Sequence, residues 1–445
     1  MAKFNTTNPS GFPEFGPAAE QKRQEWLHII STAFKSFGFI PITTPIVERE
    51  ENLLGKGGNA KEMYVLKRLL AEADDKSHSG NALRFDQTVP LALYVARHQN
   101  EITFPFKRSV IGPVFRGERA QKGRFRQFDQ CDIDVIGMEN LSLLNDAMIP
   151  AIIVDIFKAL QIGDFKVRIN NRKILTGLFK SVGIAEDKMK VTLDIVDDLE
   201  KLPREKLLAQ FTEQGFNQTQ VDKILEFVSA ESTDFTALKK VCDHDEFQAG
   251  VTELQTVVEA LESLGVDKNC YVIDTAIARG LDYYTGTVYE TSLTDNPEFG
   301  SVCSGGRYDD LASVFTNKKM PGVGISIGLT RLFSQCLDAG LVKPGKASPT
   351  EVLLIAADEV ALPSLLTLGS EFRQAGIVTE NNVENKKLVK QLDYADKLGV
   401  PYTIVMGENE LSKKVVQLKN MQTGEKQELK LSEVLSVLRS ELKQT

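Results

Sequence analysis

FRGERAQKGRFRQFDQCDID, residues 115–134, sets arginines and carboxylates too densely for a hydrophobic core, because a buried charge is costly unless it is paired. Between positions 107 and 126 the basic residues are Lys107, Arg108, Arg116, Arg119, Lys122, Arg124 and Arg126, opposed only by Glu118. The alternation predicts a strand, a short turn around Lys122–Gly123 and a returning strand within 107–137. Such a hairpin can hold several guanidinium groups against a polyphosphate; a solvated charged face is the plainer alternative. On that hairpin Arg116 and Glu118 have the same side-chain parity, and Glu118 suits a metal or a nucleobase amino group. Arg124 and Arg126 share a face with each other, and the turn leaves open which face meets a ligand. Gln130, Asp132 and Asp134 form a polar stripe of one parity, suited to a cationic amine or to a solvated strand edge.

Far downstream, ARGLDYYTGTVYE, residues 278–290, joins Arg279 to Tyr283 and Tyr284. Single tyrosines usually pack, but an arginine beside developing negative charge stabilises a transition state. Two such clusters point to one pocket assembled from distant strands. Gly305–Gly306–Arg307–Tyr308 adds close backbone approach and another aromatic. PGVGISIGLTRLF, residues 321–333, reads as a glycine-spaced strand running into a helix. There Gly322, Gly324 and Gly328 permit tight ligand approach, and Arg331 reaches a nucleotide. The chain has no GxxxxGK[ST], and its glycines are not GxGxxG in a βαβ context, which counts against P-loop and Rossmann architectures. Its four histidines lack ligand spacing and its five cysteines form no CxxC. No structural zinc is therefore expected. With no GxSxG elbow either, the site is built for electrostatics and orientation rather than for a protein nucleophile.

Working outward, 445 residues exceed one ordinary domain, so two or three are expected. The apolar and charged fractions, 42% and 26%, are those of a globular protein. No stretch approaches 18 apolar residues and no basic-then-apolar leader opens the chain, which predicts neither membrane spanning nor secretion. Scattered cysteines fit a reduced, cytoplasmic setting. A net charge of −8 argues against indiscriminate nucleic-acid coating but not against a polyanionic substrate. A helix is predicted over about 19–36. FGFIPITTPIVE follows, where Pro41 and Pro45 imply irregular or edge-like structure. LRFDQTVPLALYVARH, 83–98, reads as a strand end leading into a helix with Pro90 in its first turn. An apolar helix covers 141–160 and a helix-rich insertion covers roughly 174–264. Strand character returns at 270–274, 286–292 and 301–303. After a linker at 341–350, residues 351–445 alternate strands and helices as a separate small α/β domain.

At its polar clusters the chain resembles the histidyl-tRNA synthetases, a family of class II aminoacyl-tRNA synthetases. FGFIPITTPIVE, VFRGERAQKGRFRQFDQ and GVGISIGLTRLF resemble class II motifs 1, 2 and 3. RGLDYYTGTVYE and SVCSGGRYDDL resemble the two histidine-specific signatures. The resemblance implies an α+β fold: a class II antiparallel sheet with flanking helices and a helical insertion in residues 1–340, then a C-terminal α/β anticodon-binding domain. It further implies a homodimer that uses L-histidine, ATP with Mg2+, and the cognate histidine tRNA. By the same resemblance Arg116 orients the ATP α-phosphate, Glu118 recognises the adenine side, Arg124 meets the distal phosphates and Arg331 supports ATP. Arg279 resembles the family's catalytic arginine, contacting the α-phosphate and the substrate carboxylate. Asp86 and Gln130 would hold the substrate ammonium. Asp134 and Tyr284 would read its imidazole, with Tyr283 and Tyr308 in the same pocket.

Some residues depart from the family pattern. Asp86 and Asp134 stand where some relatives use glutamate, Ala120 replaces a common proline, and Thr330 takes a position often glutamate in motif 3. If that glutamate places metal or phosphate, another carboxylate must serve here. The nearest alternative is a synthetase-like regulatory subunit of histidine biosynthesis, which would need neither an intact Arg279–Tyr284 segment nor a C-terminal RNA-binding domain. A purely structural RNA-binding protein would need no ATP clamps.

Overall fold

The computed structural model describes residues 4–54, 60–68, 80–199, 201–230, 234–278, 284–309, 312–313, 315–384 and 386–442. Two compact units result, one from Leu27–Val342 with Met1–Pro13, the other from Lys343–Thr445 with Glu14–Trp26.

The larger unit is organised by an eight-stranded sheet. Its spatial order is Ile40–Pro41, Phe106–Phe115, Gln127–Ile136, Gly322–Gly328, Cys303–Tyr308, Thr287–Leu293, Phe165–Asn171 and Tyr271–Ile273. The six central strands are antiparallel, and the first and last join in parallel. Pro41, which lacks an N–H to donate, sits in the edge strand where that lack costs least. Residues alternate between faces along each strand. One face carries Cys131, Ile133 and Val135, all fully buried. The helix Leu144–Leu160 packs on the same side, where buried Asp146 pairs with Arg307 at 2.8 Å and accepts a hydrogen bond from the Thr287 hydroxyl at 2.7 Å. Arg307 thus anchors the back of the sheet. The opposite face carries the even-numbered polar stripe.

Helices Arg172–Ser181, Met189–Asp197, Arg204–Glu213, Gln218–Val228, Phe235–Lys239 and Asp245–Ser263 account for the helix-rich region. The expected strand at 301–303 instead runs Cys303–Tyr308, because the glycine pair Gly305–Gly306 lies inside the ladder opposite Ile325 and Gly324. The hairpin also differs from expectation. Its strands stop at Phe115 and resume at Gln127, so Arg116–Arg126 is a loop. Other segments draw this backbone out of the ladder: Gly117 N–H donates to Glu62 O at 2.6 Å and Arg126 N–H to Gly11 O at 2.7 Å. The turn at Lys122–Gly123 survives at the loop tip, closed by Gln121 and Arg124, with Gly123 at φ +72°.

In the smaller unit a five-stranded sheet has the order Thr379–Asn382, Val352–Ala356, Tyr402–Met406, Val415–Asn420, Lys426–Lys430. Its first three strands are parallel. Val352 and Leu354 enter one core with Phe372, Ile404 and Leu438, whereas Leu353 and Ile355 enter another with Ala395 and Val400. Burial on both faces explains why VLLIA is apolar without alternation.

Candidate active site

Sheet register builds the site. Gln130 lies opposite Gly328, Asp132 opposite Ser326, and Asp134 opposite Gly324; Ser326 in turn lies opposite Ser304, and Gly324 opposite Gly306. The stripe Gln130, Asp132, Asp134 therefore runs down the floor of a cavity of about 510 Å³. From Gln130 to Asp134 is four residues, about 13 Å of strand. Nine of the sequence-predicted residues line this one cavity: Asp86, Arg116, Glu118, Arg124, Gln130, Asp134, Tyr284, Tyr308 and Arg331. Arg279 and Tyr283 lie outside the described residues.

At the Asp134 end the carboxylate is held on both oxygens. Arg108 Nη2 pairs with Oδ2 at 2.6 Å, and the Tyr308 hydroxyl donates to Oδ1 at 2.9 Å. The cation and the hydroxyl are both buried. Burial pushes the Asp134 carboxyl above its ordinary value, while Arg108 and Tyr308 pull it back. The glycines opposite prove to make room for the site's own side chains rather than for ligand. A Cβ on Gly324 would overlap the Asp134 carboxylate, one on Gly322 the Tyr308 ring, and one on Gly306 would come within 2.9 Å of the Tyr284 ring. Gly328 alone of these faces open space, its nearest neighbour being Arg331 Cβ at 3.9 Å.

Asp86 is presented by the start of the helix Thr88–His98. Its Oδ1 accepts the Val89 N–H at 3.2 Å. Arg84 fixes the chain before it, donating to Pro113 O at 2.8 Å and Thr44 O at 3.1 Å. Burial lifts the Asp86 carboxyl to about 6, against the pull of the Val89 N–H, Arg116 and Arg108. Asp132 is lifted to about 7, chiefly by burial, with Asp134 and Asp86 adding to the rise and Arg108 and Ser326 opposing it.

At the other end lies the loop. Arg116 Nε donates to Phe85 O at 3.1 Å, and its guanidinium lies 5.2 Å from the centre of the Phe128 ring. That stacking leaves the guanidinium oriented before any anion arrives. Glu118 faces Arg124 at 3.7 Å, the Arg124 side chain being 56% exposed. Arg331 Nη2 donates to Phe299 O at 2.6 Å. Arg126 is not a ligand-facing clamp: it donates to Glu118 O at 3.0 Å and to Ser10 O at 3.4 Å, bracing the loop. Thr330, at the position often glutamate in motif 3, has a structural partner. It is buried, and its hydroxyl accepts the Asp129 N–H at 2.8 Å, tying the motif 3 helix to the hairpin.

Sequence reasoning missed Thr88, Phe125, Phe128, Ser304 and Ser326 as lining residues; it placed Asp132 in the stripe suited to a cationic amine but gave it no individual role. Parity with Gln130 marks Phe128 and Asp132. The serines become visible only once the strands are in register. Together these groups can hold a zwitterion beside a polyanion, since acceptors gather along the stripe and guanidiniums gather at the loop.

The chain matches the family model described as histidyl-tRNA synthetase over residues 11–332 and the anticodon binding domain model over residues 351–441. It is 44% identical to a histidine--tRNA ligase of Nostoc sp. over 456 residues, covering 99% of each chain. The crystal structure of a histidyl-tRNA synthetase from Nostoc sp. superposes with a TM-score of 0.90 at 43% identity, covering 99% of this chain and 100% of that one. A Bacillus halodurans protein described as an ATP phosphoribosyltransferase regulatory subunit/histidyl-tRNA synthetase shares the fold, with a TM-score of 0.72 at 19% identity over 91% of this chain and 99% of that one.

Proposed function

This chain belongs to the histidyl-tRNA synthetase family and attaches L-histidine to tRNA in an ATP-dependent reaction; we propose that it does so in the cavity described above. The observation that carries this reading is the gathering of nine polar side chains from five segments of the chain around one stripe of acceptors. Asp86 and Gln130 take the histidine ammonium. Asp134, steadied by Arg108 and Tyr308, reads the imidazole together with Tyr284, and Tyr283 belongs to the same pocket. Arg116 orients the α-phosphate, Glu118 the adenine side, Arg124 the distal phosphates, and Arg331 supports the nucleotide. Arg279 contacts the α-phosphate and the substrate carboxylate.

In the first step a carboxylate oxygen of histidine forms a bond to the α-phosphorus as the bond to the bridging oxygen breaks, releasing pyrophosphate and leaving histidyl-adenylate. Charge builds on the α-phosphoryl oxygens, where a prepositioned guanidinium is most effective. A ribose hydroxyl of the tRNA terminal adenosine then attacks the carbonyl carbon, and AMP leaves. No side chain becomes covalently modified.

Magnesium is proposed to accompany ATP. Among the described residues no group of three His, Cys, Asp or Glu side chains could hold an ion, and the proposed ion would arrive with the nucleotide. Bound there, it would neutralise phosphate charge. Residues 351–441 match the anticodon-binding family, which supports tRNA contact by the smaller unit. Among the described residues no helix is long and apolar enough to cross a membrane. A homodimer in the cytoplasm is proposed from the family resemblance, and sedimentation of the purified protein tests the dimer.

The regulatory-subunit reading has less support, since the Bacillus halodurans likeness at 19% identity establishes fold alone. The deciding experiment is histidine-dependent ATP–pyrophosphate exchange followed by histidylation of cognate tRNA. Exchange with a different amino acid but not histidine would overturn the specificity, and no exchange by folded protein would favour the regulatory subunit.

A further inference from the structure

Asp132 belongs to the stripe suited to a cationic amine but carries no individual role in the assignments above, yet it lines the same cavity and is 3% exposed. Three buried oxygens on this stretch of wall have no hydrogen-bond partner among the described residues: Asp86 Oδ2, Gln130 Oε1 and Asp132 Oδ1. Their parent side chains are at least nine-tenths buried. All three atoms are acceptors. The Gln130 amide nitrogen is already committed to Ser326 Oγ at 2.9 Å, so that side chain offers only its carbonyl. Of the nearby guanidiniums, Arg108 makes its bonds through Nη2, while its buried Nε has no hydrogen-bond partner among the described residues. Arg108 binds Asp134 and Gln87 O, and Arg84 binds Pro113 O and Thr44. A wall of unpartnered acceptors repels carboxylate and phosphate but suits a compact cation with three donors.

We propose that Asp132 is a third acceptor for the histidine ammonium, completing with Asp86 and Gln130 a set matched to its three N–H groups. This inference rests on the histidine-binding reading given above. Asp132 and Gln130 are two residues apart on one strand face, and Asp86 and Asp132 feel each other's charge. Burial beside Asp86 and Asp134 disfavours a lone Asp132 carboxylate, and a bound ammonium relieves that penalty. The consequence is specificity. Buried acceptors left unpaired discriminate strongly against an analogue lacking the donor.

The test compares L-histidine with imidazolepropionate, which lacks only the ammonium, by calorimetric titration of the full-length protein. Asp132→Asn should weaken histidine about 10- to 100-fold, the effect of losing a charge-assisted hydrogen bond, while the analogue changes less than about 3-fold. Asp132→Ser, smaller and uncharged, should behave the same way and serves if the asparagine variant does not fold. Equal losses for both ligands would place Asp132 at the ring or in the fold, and unchanged histidine affinity would remove it from the site; either result overturns the proposal. Wild-type protein without histidine-dependent exchange would instead overturn the parent reading.

Discussion

Gly324→Ala and Gly328→Ala make the same chemical change four residues apart on one face of one strand, yet they should behave very differently. A Cβ at position 324 would overlap the Asp134 carboxylate and the Ile133 carbonyl, and neither can move cheaply. Ile133 O belongs to the sheet backbone, and Asp134 is held by Arg108 at 2.6 Å and Tyr308 at 2.9 Å. Overpacking alone costs about 1–3 kcal/mol. Stripping Arg108 of its buried partner costs about 3–5 kcal/mol. Relief by moving Asp134 incurs the second cost, so the variant should lose about 3 kcal/mol or more. At about 2 °C per kcal/mol for a large unit, Tm should fall by roughly 6 °C or more. Histidine affinity should fall about 10- to 100-fold with the displaced carboxylate. At position 328 the new Cβ meets only Arg331 Cβ at 3.9 Å, and its φ of −75° is open to any residue. Gly328→Ala should therefore stay within about 1 kcal/mol of wild type. Thermal unfolding and calorimetric histidine titration read both quantities. Equal melting temperatures for the two variants, with histidine binding intact in Gly324→Ala, would refute the packing argument.

Three further outcomes follow from the site. Asp132 is lifted to about 7 in the folded state, against about 3.9 unfolded. The folded state thus binds more protons between about pH 4 and 7, and this contribution to stability is full at the acid end and lost as pH rises through 7. Asp132→Asn removes it, so the variant should gain stability relative to wild type between pH 5 and 8 in thermal unfolding; a flat difference would count against the reading. Thr330→Val removes the hydroxyl that accepts the Asp129 N–H and should cost about 1–3 kcal/mol, with the KM for ATP changed less than about 3-fold; a large rise in that KM would tie Thr330 to phosphate placement. Arg279→Ala should slow ATP–pyrophosphate exchange about 100-fold without moving Tm, and undiminished exchange would refute its proposed role.

The order of elements was legible in the sequence because it follows from local pattern. Pro41 implied an edge, Pro90 a first helical turn, and alternation around Gln130, Asp132 and Asp134 a common face. The limits of the motif 2 strands were not legible. Glu62 and Gly11, distant in sequence, capture the backbone of Gly117 and Arg126, and no local period registers such a competitor. The motif 3 glycines were visible, but their purpose was not, since Asp134 and Tyr308 approach them from other strands.

What the sequence by itself determined was chemical inventory and parity: which residues carry charge, and which of them share a face. These are properties of composition and of the two-residue repeat of a strand, and they hold before the chain folds. What only the tertiary structure decided was division of labour within that inventory. Arg116 is oriented over Phe128 toward the cavity, Arg126 braces a loop, Arg307 anchors the back of the sheet, and Arg108 holds Asp134. All four are arginines in or near the polar clusters. A guanidinium becomes an anchor or a clamp according to the carbonyl, carboxylate or open space that another segment sets beside it. Sheet register supplies that neighbour.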